Sequence, residues 1–107
     1  MSNNTLKVLQ NMKQLLSTHG WNKNIYIDNN GSYDIMGAIY QSLVTQNLIT
    51  SRCIIEVRDQ LMDSIRSVHG DKYSMILEFN DDPNITFQDV IDVLDIFALI
   101  LDLPCLV

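Results

Sequence analysis

From residue 73 to its end the sequence has no lysine, arginine or histidine, yet it carries Glu78, Asp81, Asp82, Asp89, Asp92, Asp95 and Asp102. All seven Lys and Arg lie in residues 1–72 beside six acids, so the total of −6 divides into local net charges of +1 and −7. An acidic surface repels phosphate and lacks the cations whose counterion release drives nucleic-acid binding, which argues against DNA or RNA as a partner. Cysteine is nearly missing as well. Cys53 and Cys105 have no short metal-ligand spacing, and the polar start Met1-Ser2-Asn3-Asn4-Thr5 has no secretory pattern, so reduced thiols in a cytoplasmic protein are expected. Cys105 stands third from the end, not fourth as prenylation requires. Nor is there a membrane-length apolar run: Val90 to Leu101 falls short of the roughly 20 residues that span a bilayer, and Asp92 and Asp95 interrupt it. Phosphate loops, dinucleotide fingerprints and serine nucleophile elbows are also lacking.

What is present is enough for one core. A chain of 107 residues, 47% hydrophobic and 19% charged, is expected to form a single domain over residues 1–107. Leu6, Leu9, Met12, Leu15 and Leu16 recur at three- and four-residue steps, predicting a first helix capped by Asn3 or Asn4 and stopped near His19-Gly20. Ser32 or Asp34 caps a second helix running to about Gln46, with Ile35, Ala38, Ile39 and Leu43 on one face. Gly37 within it costs about 1 kcal/mol of helix propensity relative to alanine, which suggests that another backbone comes close there. Thr50 or Ser51 caps a third helix, with Ile54, Val57, Leu61, Ile65 and Val68 inward and Arg52, Glu56, Arg58, Asp59 and Arg66 outward; Gly70 ends it.

Between the first two helices, Ile25, Tyr26 and Ile27 are strand formers and Asp28-Asn29-Asn30-Gly31 suits a turn, so a short β-strand or hairpin is expected near residues 24–33, with Trp21 as packing anchor. Residues 72–79 fit a short helix better than a strand. Asn80 to Ile85 reads as a tight connection in which Pro83 fixes the backbone, and Thr86 with Asp89 forms a helix-capping signature for a last helix from about Phe87 to Asp102, closed by Pro104. That helix is apolar on nearly every side, which makes it either the hub of the bundle or a contact with a second copy. The fold class is therefore mainly α, with four to five helices and the short hairpin.

Taken together, Trp21-x4-Tyr26-x-Asp28-x2-Gly31, Gly37-Ala38-Ile39, and Phe79-Asn80-Asp81-x-Pro83-x2-Thr86-x2-Asp89-Val90-x2-Val93-Leu94 resemble a family of small uncharacterised bacterial and phage proteins, a domain of unknown function. The resemblance spans roughly Trp21 to Asp95. It implies a fold and a bacterial or phage origin but no activity, substrate or cofactor. The chain departs from the family's pattern at Asp34, where cysteine is common, and at Phe79, where tryptophan is.

Chemistry-bearing groups are few. Asn80, Asp81, Asp82 and Asp89 could supply oxygens to a hard cation, but Asn and Asp beside proline ordinarily make turns, and Asp28-Asn29-Asn30-Gly31 lacks calcium-loop spacing. His19 and His69 each precede a glycine at a helix end and suit the negative pole of the dipole. Cys53 has no local nucleophile signature and reads as a small apolar residue. No catalytic residue, metal site or cofactor is assigned.

The leading expectation is a non-enzymatic protein-binding module, phage-encoded or phage-derived, that meets a partner protein through its acidic C-terminal third at Asp81, Asp82, Asp92 and Asp95. The alternatives are an enzyme or a metal- or small-ligand-binding protein with its site where the turn Asn80, Asp81 and Asp82 meets Trp21 and Tyr26, and a structural homo-oligomer built on the last helix.

Overall fold

In the computed structural model, which describes residues 2–102 and the side chains of residues 4–99, the first helix, α1, spans Ser2–His19. It is followed by α2 (Ile35–Thr45), α3 (Ser51–His69), α4 (Ile76–Asp81) and α5 (Phe87–Asp102), with a single 3-10 turn at Gly70–Lys72. Local chemistry accounts for most of these boundaries. Asp34 Oδ1 accepts from Gly37 N at 2.6 Å and starts α2, and Thr50 Oγ1 accepts from Cys53 N at 3.2 Å and starts α3. Gly70, at φ 70°, ends α3 in a conformation that other residues adopt only with strain. Thr86 and Asp89 cap α5 reciprocally: Thr86 N donates to Asp89 Oδ2 at 2.8 Å and Asp89 N donates to Thr86 Oγ1 at 3.2 Å.

Several boundaries differ from the sequence expectation. Asn3 and Asn4 lie in the first turn of α1 rather than at its cap, a shift within the softness of helix ends. Asn80 and Asp81 belong to α4 rather than to the connection after it. Pro104 and Cys105 lie outside the described residues.

The expected hairpin does not form among the described residues. Residues 20–34 instead make a long loop held by isolated bridges, Trp21 to Tyr33 and Ile27 to Tyr33. The physical reason lies in the backbone: Asn24 at φ 76° breaks the extended run between the two bridge points, so neither flank offers consecutive residues to a ladder. The expected turn does form. Asp28 carboxylate oxygens accept from Asn30 N, Ser32 N and Ser32 Oγ, and Gly31 sits at φ 84°.

One core unites the five helices. Val8, Leu9, Met12 and Leu16 of α1 meet Ile35, Ala38, Ile39 and Leu43 of α2; Val57, Leu61 and Ile65 of α3, with Phe79 of α4 and Val90, Val93, Leu94 and Phe97 of α5, complete it. Val68 was expected inward but, one residue from the end of α3, is 45% exposed.

α5 packs on α1 and α3, where the buried Ser64 Oγ donates to Val93 O at 2.7 Å. It is a flanking helix rather than a hub surrounded on every side. Ile91, Ile96 and Ala98 sit on its half-covered shoulders, and Gln88, Asp92, Asp95 and Leu99 face outward.

The loop over residues 20–34 is pinned to α2 at one point of close approach. A Cβ built on Gly37 would lie 1.9 Å from Tyr26 O, so only glycine lets the loop backbone lie against the helix. This close approach brings the Tyr26 side chain to the first two turns of α2.

Candidate functional site

The structure brings Trp21, Asn80 and Asp81 together at the end of α4. Asn80 is fully buried, and its Oδ1 accepts from Trp21 Nε1 at 2.7 Å and from Ile35 N at 2.9 Å. Its Nδ2 donates to Asn22 O at 3.1 Å and to Asp81 Oδ1 at 2.8 Å. Two accepted and two donated bonds exhaust what an asparagine amide can make, leaving nothing to offer a ligand. Asp81 Oδ1 also accepts from Asn24 N at 2.9 Å. The cluster therefore ties three segments together: the long loop, the start of α2 and the end of α4.

Asp82 is engaged in the same way. Its Oδ2 accepts from Tyr73 hydroxyl at 2.6 Å and lies 3.6 Å from Lys72 Nζ, while Oδ1 accepts from Asn84 N at 2.8 Å. These bonds, the Tyr73 hydroxyl foremost, hold its carboxyl below the usual range. Lys23 lies over the Trp21 ring, 4.9 Å from its centre, and donates to the carbonyls of Asp82 and Ile85. Trp21 stacks on Phe87 with ring centres 6.3 Å apart, so the same anchor also fixes the start of α5.

The remaining acids are separate from this cluster and from one another in role. Asp89 caps α5, and its bonds to Thr86 lower its pKa. Asp92 Oδ1 accepts from Gln88 Nε2 at 2.8 Å. Asp95 pairs at 2.6 Å with Lys13 of α1, and both side chains are about half exposed. Of the four carboxylates expected to meet a partner, only Asp92 and Asp95 stand on one exposed face. Among the described residues no three His, Cys, Asp or Glu side chains converge as a metal site would need.

Tyr26 goes elsewhere. Its ring lies 5.5 Å from that of Tyr40, at the edge of an open groove of about 700 Å³ bounded by the long loop, α2, α3 and the start of α4. Met36 and Tyr40 come from α2, Met75 from the start of α4, and Met62 with the two cations Arg58 and Arg66 and the two carboxylates Asp59 and Asp63 from α3. Tyr26 is 48% exposed and Met75 55% exposed, although Met36 and Met62 beneath them are buried. The Tyr26 hydroxyl has a raised pKa, first from desolvation and then from the neighbouring Tyr40 phenol and Asp34 carboxylate; the Arg58 charge opposes these.

Asp34 is itself buried, and that burial pushes its carboxyl up against the lowering bond from Gly37 N. Apart from Tyr26, the groove's residues escaped the sequence reading because Arg58 and Arg66 were assigned to a solvated face. The available signal was Met62, an apolar residue between them at four-residue steps.

Fold and groove together define a small, mainly helical protein with an amphipathic cleft beside a hydrogen-bonded loop anchor. The chain belongs to a family of unknown function (DUF6197), which matches residues 1–98. No curated protein and no solved structure matches it. Among the described residues no helix is long and apolar enough to cross a membrane.

Proposed function

We propose that this is a non-enzymatic protein-binding module, of phage or bacterial origin, whose docking site is the groove between α2, α3 and α4. One observation carries the reading: Tyr26 and Met75, both about half exposed, overhang the buried Met36 and Met62, so apolar surface continues from the core to solvent at this place. Methionine side chains are flexible and polarizable and adapt to a partner's shape, and tyrosine adds amphipathic contact area with little entropy to lose. The exposed charges beside them, Arg58 and Arg66 with Asp59 and Asp63, supply polar contacts of both signs.

The acidic C-terminal third enters this proposal in reduced form. Asp92 and Asp95 make a secondary contact along the outer face of α5, whereas Asp81 and Asp82 serve the fold. The phage or bacterial origin rests on the family resemblance alone.

Photo-crosslinking tests the assignment. A crosslinking residue at position 75 should capture a discrete partner protein in host cells, and Tyr26→Ala should abolish capture in a folded protein. Capture from position 92 but not from position 75 would move the contact to the acidic face and overturn the reading.

A further inference from the structure

Asn30 is followed by Gly31, and no other asparagine of the chain precedes a glycine. The pair has a chemistry of its own, because the backbone nitrogen after an asparagine can attack its side chain. Gly31 N, once deprotonated, adds to Asn30 Cγ; the Cγ–Nδ2 bond breaks, ammonia leaves, and a five-membered succinimide closes. Water then opens the ring at either carbonyl and yields aspartate or isoaspartate. Glycine favours the closure, since it has no side chain to crowd the approach and its backbone turns freely.

The structure puts this pair at the surface and shows what restrains it. Asn30 is exposed, and among the described residues its bond is made by the backbone N–H, which leaves the carboxamide free to turn. The restraint comes from Asp28. Its carbonyl accepts from Gly31 N at 3.0 Å, so the attacking nitrogen is itself held in a hydrogen bond. Its carboxylate accepts from Asn30 N and Ser32 N, each at 2.9 Å, and from the Ser32 hydroxyl at 2.6 Å, which fixes the backbone on both sides of the reacting pair. Ring closure therefore waits for the turn to open. Such opening is cheap here, because Ile25, Tyr26 and Ile27 just before the turn are each about half exposed and no core residue lies within it.

We infer that Asn30 is a spontaneous modification site of this protein, deamidated through the nitrogen of Gly31 at a rate governed by the Asp28 turn. The other asparagines are followed by larger residues, and Asn80 is buried with its amide fully bonded. Both products work against the turn that formed them. Aspartate sets a second carboxylate beside that of Asp28, and isoaspartate adds one carbon to the main chain where Gly31 N must reach Asp28 O. The site is independent of what the groove binds, although the turn joins the two flanks of the loop that carries Tyr26.

Peptide mapping by mass spectrometry tests this on the full, folded chain held in mildly alkaline buffer and sampled over time. Asn30 should convert before any other asparagine, with isoaspartate separated from aspartate by chromatography. Asp28→Ala removes the three bonds to the carboxylate and should speed conversion by about fivefold or more, the factor that one hydrogen bond is worth. Ser32→Ala, which removes only the hydroxyl bond, should speed it less. Unchanged Trp21 fluorescence will confirm that each variant is folded. In urea the three chains should convert at one rate, faster than the folded parent. Another asparagine converting first, or Asn30 intact in the folded chain when the urea sample is fully converted, would overturn the site. Equal rates for the folded parent and folded Asp28→Ala would overturn the control by the turn.

Discussion

Trp21 Nε1 donates to Asn80 Oδ1 at 2.7 Å across 59 residues of sequence, and the same oxygen receives Ile35 N. The only tryptophan of the chain thereby holds the long loop to the point where α2 begins and α4 ends. Replacing Asn80 with alanine strands buried donors on both sides of this junction, at a cost of about 2–4 kcal/mol. Trp21→Phe removes one donor and leaves Ile35 N satisfied, so its loss should be smaller, about 1 kcal/mol before any packing change. Urea denaturation of the two single variants and the double variant checks the prediction: the double should cost less than the sum of the singles.

Gly37→Ala sets two effects against each other. Alanine gains about 1 kcal/mol in helix propensity, but its Cβ would stand 1.9 Å from the Tyr26 carbonyl, which is backbone and cannot rotate away. The clash wins. A net loss of about 1–3 kcal/mol is expected, by analogy with overpacking. Faster amide exchange at Asp34, whose N–H donates to Tyr26 O, would show the loop lifting from α2.

Two carboxylates should respond to pH with opposite signs. Asp89 has a folded-state pKa below its unfolded value, through its bonds to Thr86, so its stabilisation is present above about pH 4 and is lost as pH falls through the folded value. Asp34 has a raised pKa through burial, so the folded state takes up its proton first and gains stability as pH falls through that value. Thermal melts between pH 7 and pH 3 should show a shallower acid decline for Asp89→Asn. Asp34→Asn, which keeps an oxygen to accept from Gly37 N, should melt no lower than the parent at pH 7 and should gain less on acidification.

The Lys13 and Asp95 pair is exposed on both sides, so Asp95→Asn should change stability by less than about 1 kcal/mol, and less still in high salt. Ser64→Ala is different. It frees the buried Val93 carbonyl, already bonded within its helix, from a second bond at the crossing of α3 and α5, and about 1 kcal/mol is expected. Chemical denaturation of both variants in low and high salt compares them directly.

The helices were legible because their signals are local. Thr50, Asp34, Gly70, Thr86 and Asp89 act on backbone groups within a few residues, and the four-residue spacing of Ile35, Ile39 and Leu43 needs nothing outside α2 to be read. Even the need for Gly37 could be read from its cost to the helix, although not which backbone it admits. The hairpin was misread because Ile25, Tyr26 and Ile27 have strand propensity, yet nearly half or more of each side chain is exposed on a loop shaped by Asn24 and by contact with α2.

Sequence alone therefore determined the helical class, the caps and the concentration of carboxylates after residue 72, each a matter of composition or near-neighbour bonding. Tertiary structure alone decided what those carboxylates do. Asp81 and Asp82 became holders of the fold because Asn24 N and the Tyr73 hydroxyl reach them, the first from a segment 57 residues away. It also decided that Arg58 and Arg66 border a groove rather than open solvent. A helix face becomes a wall only when the start of α4 and the loop bearing Tyr26 rise beside it, and no spacing within α3 encodes where those neighbours stand.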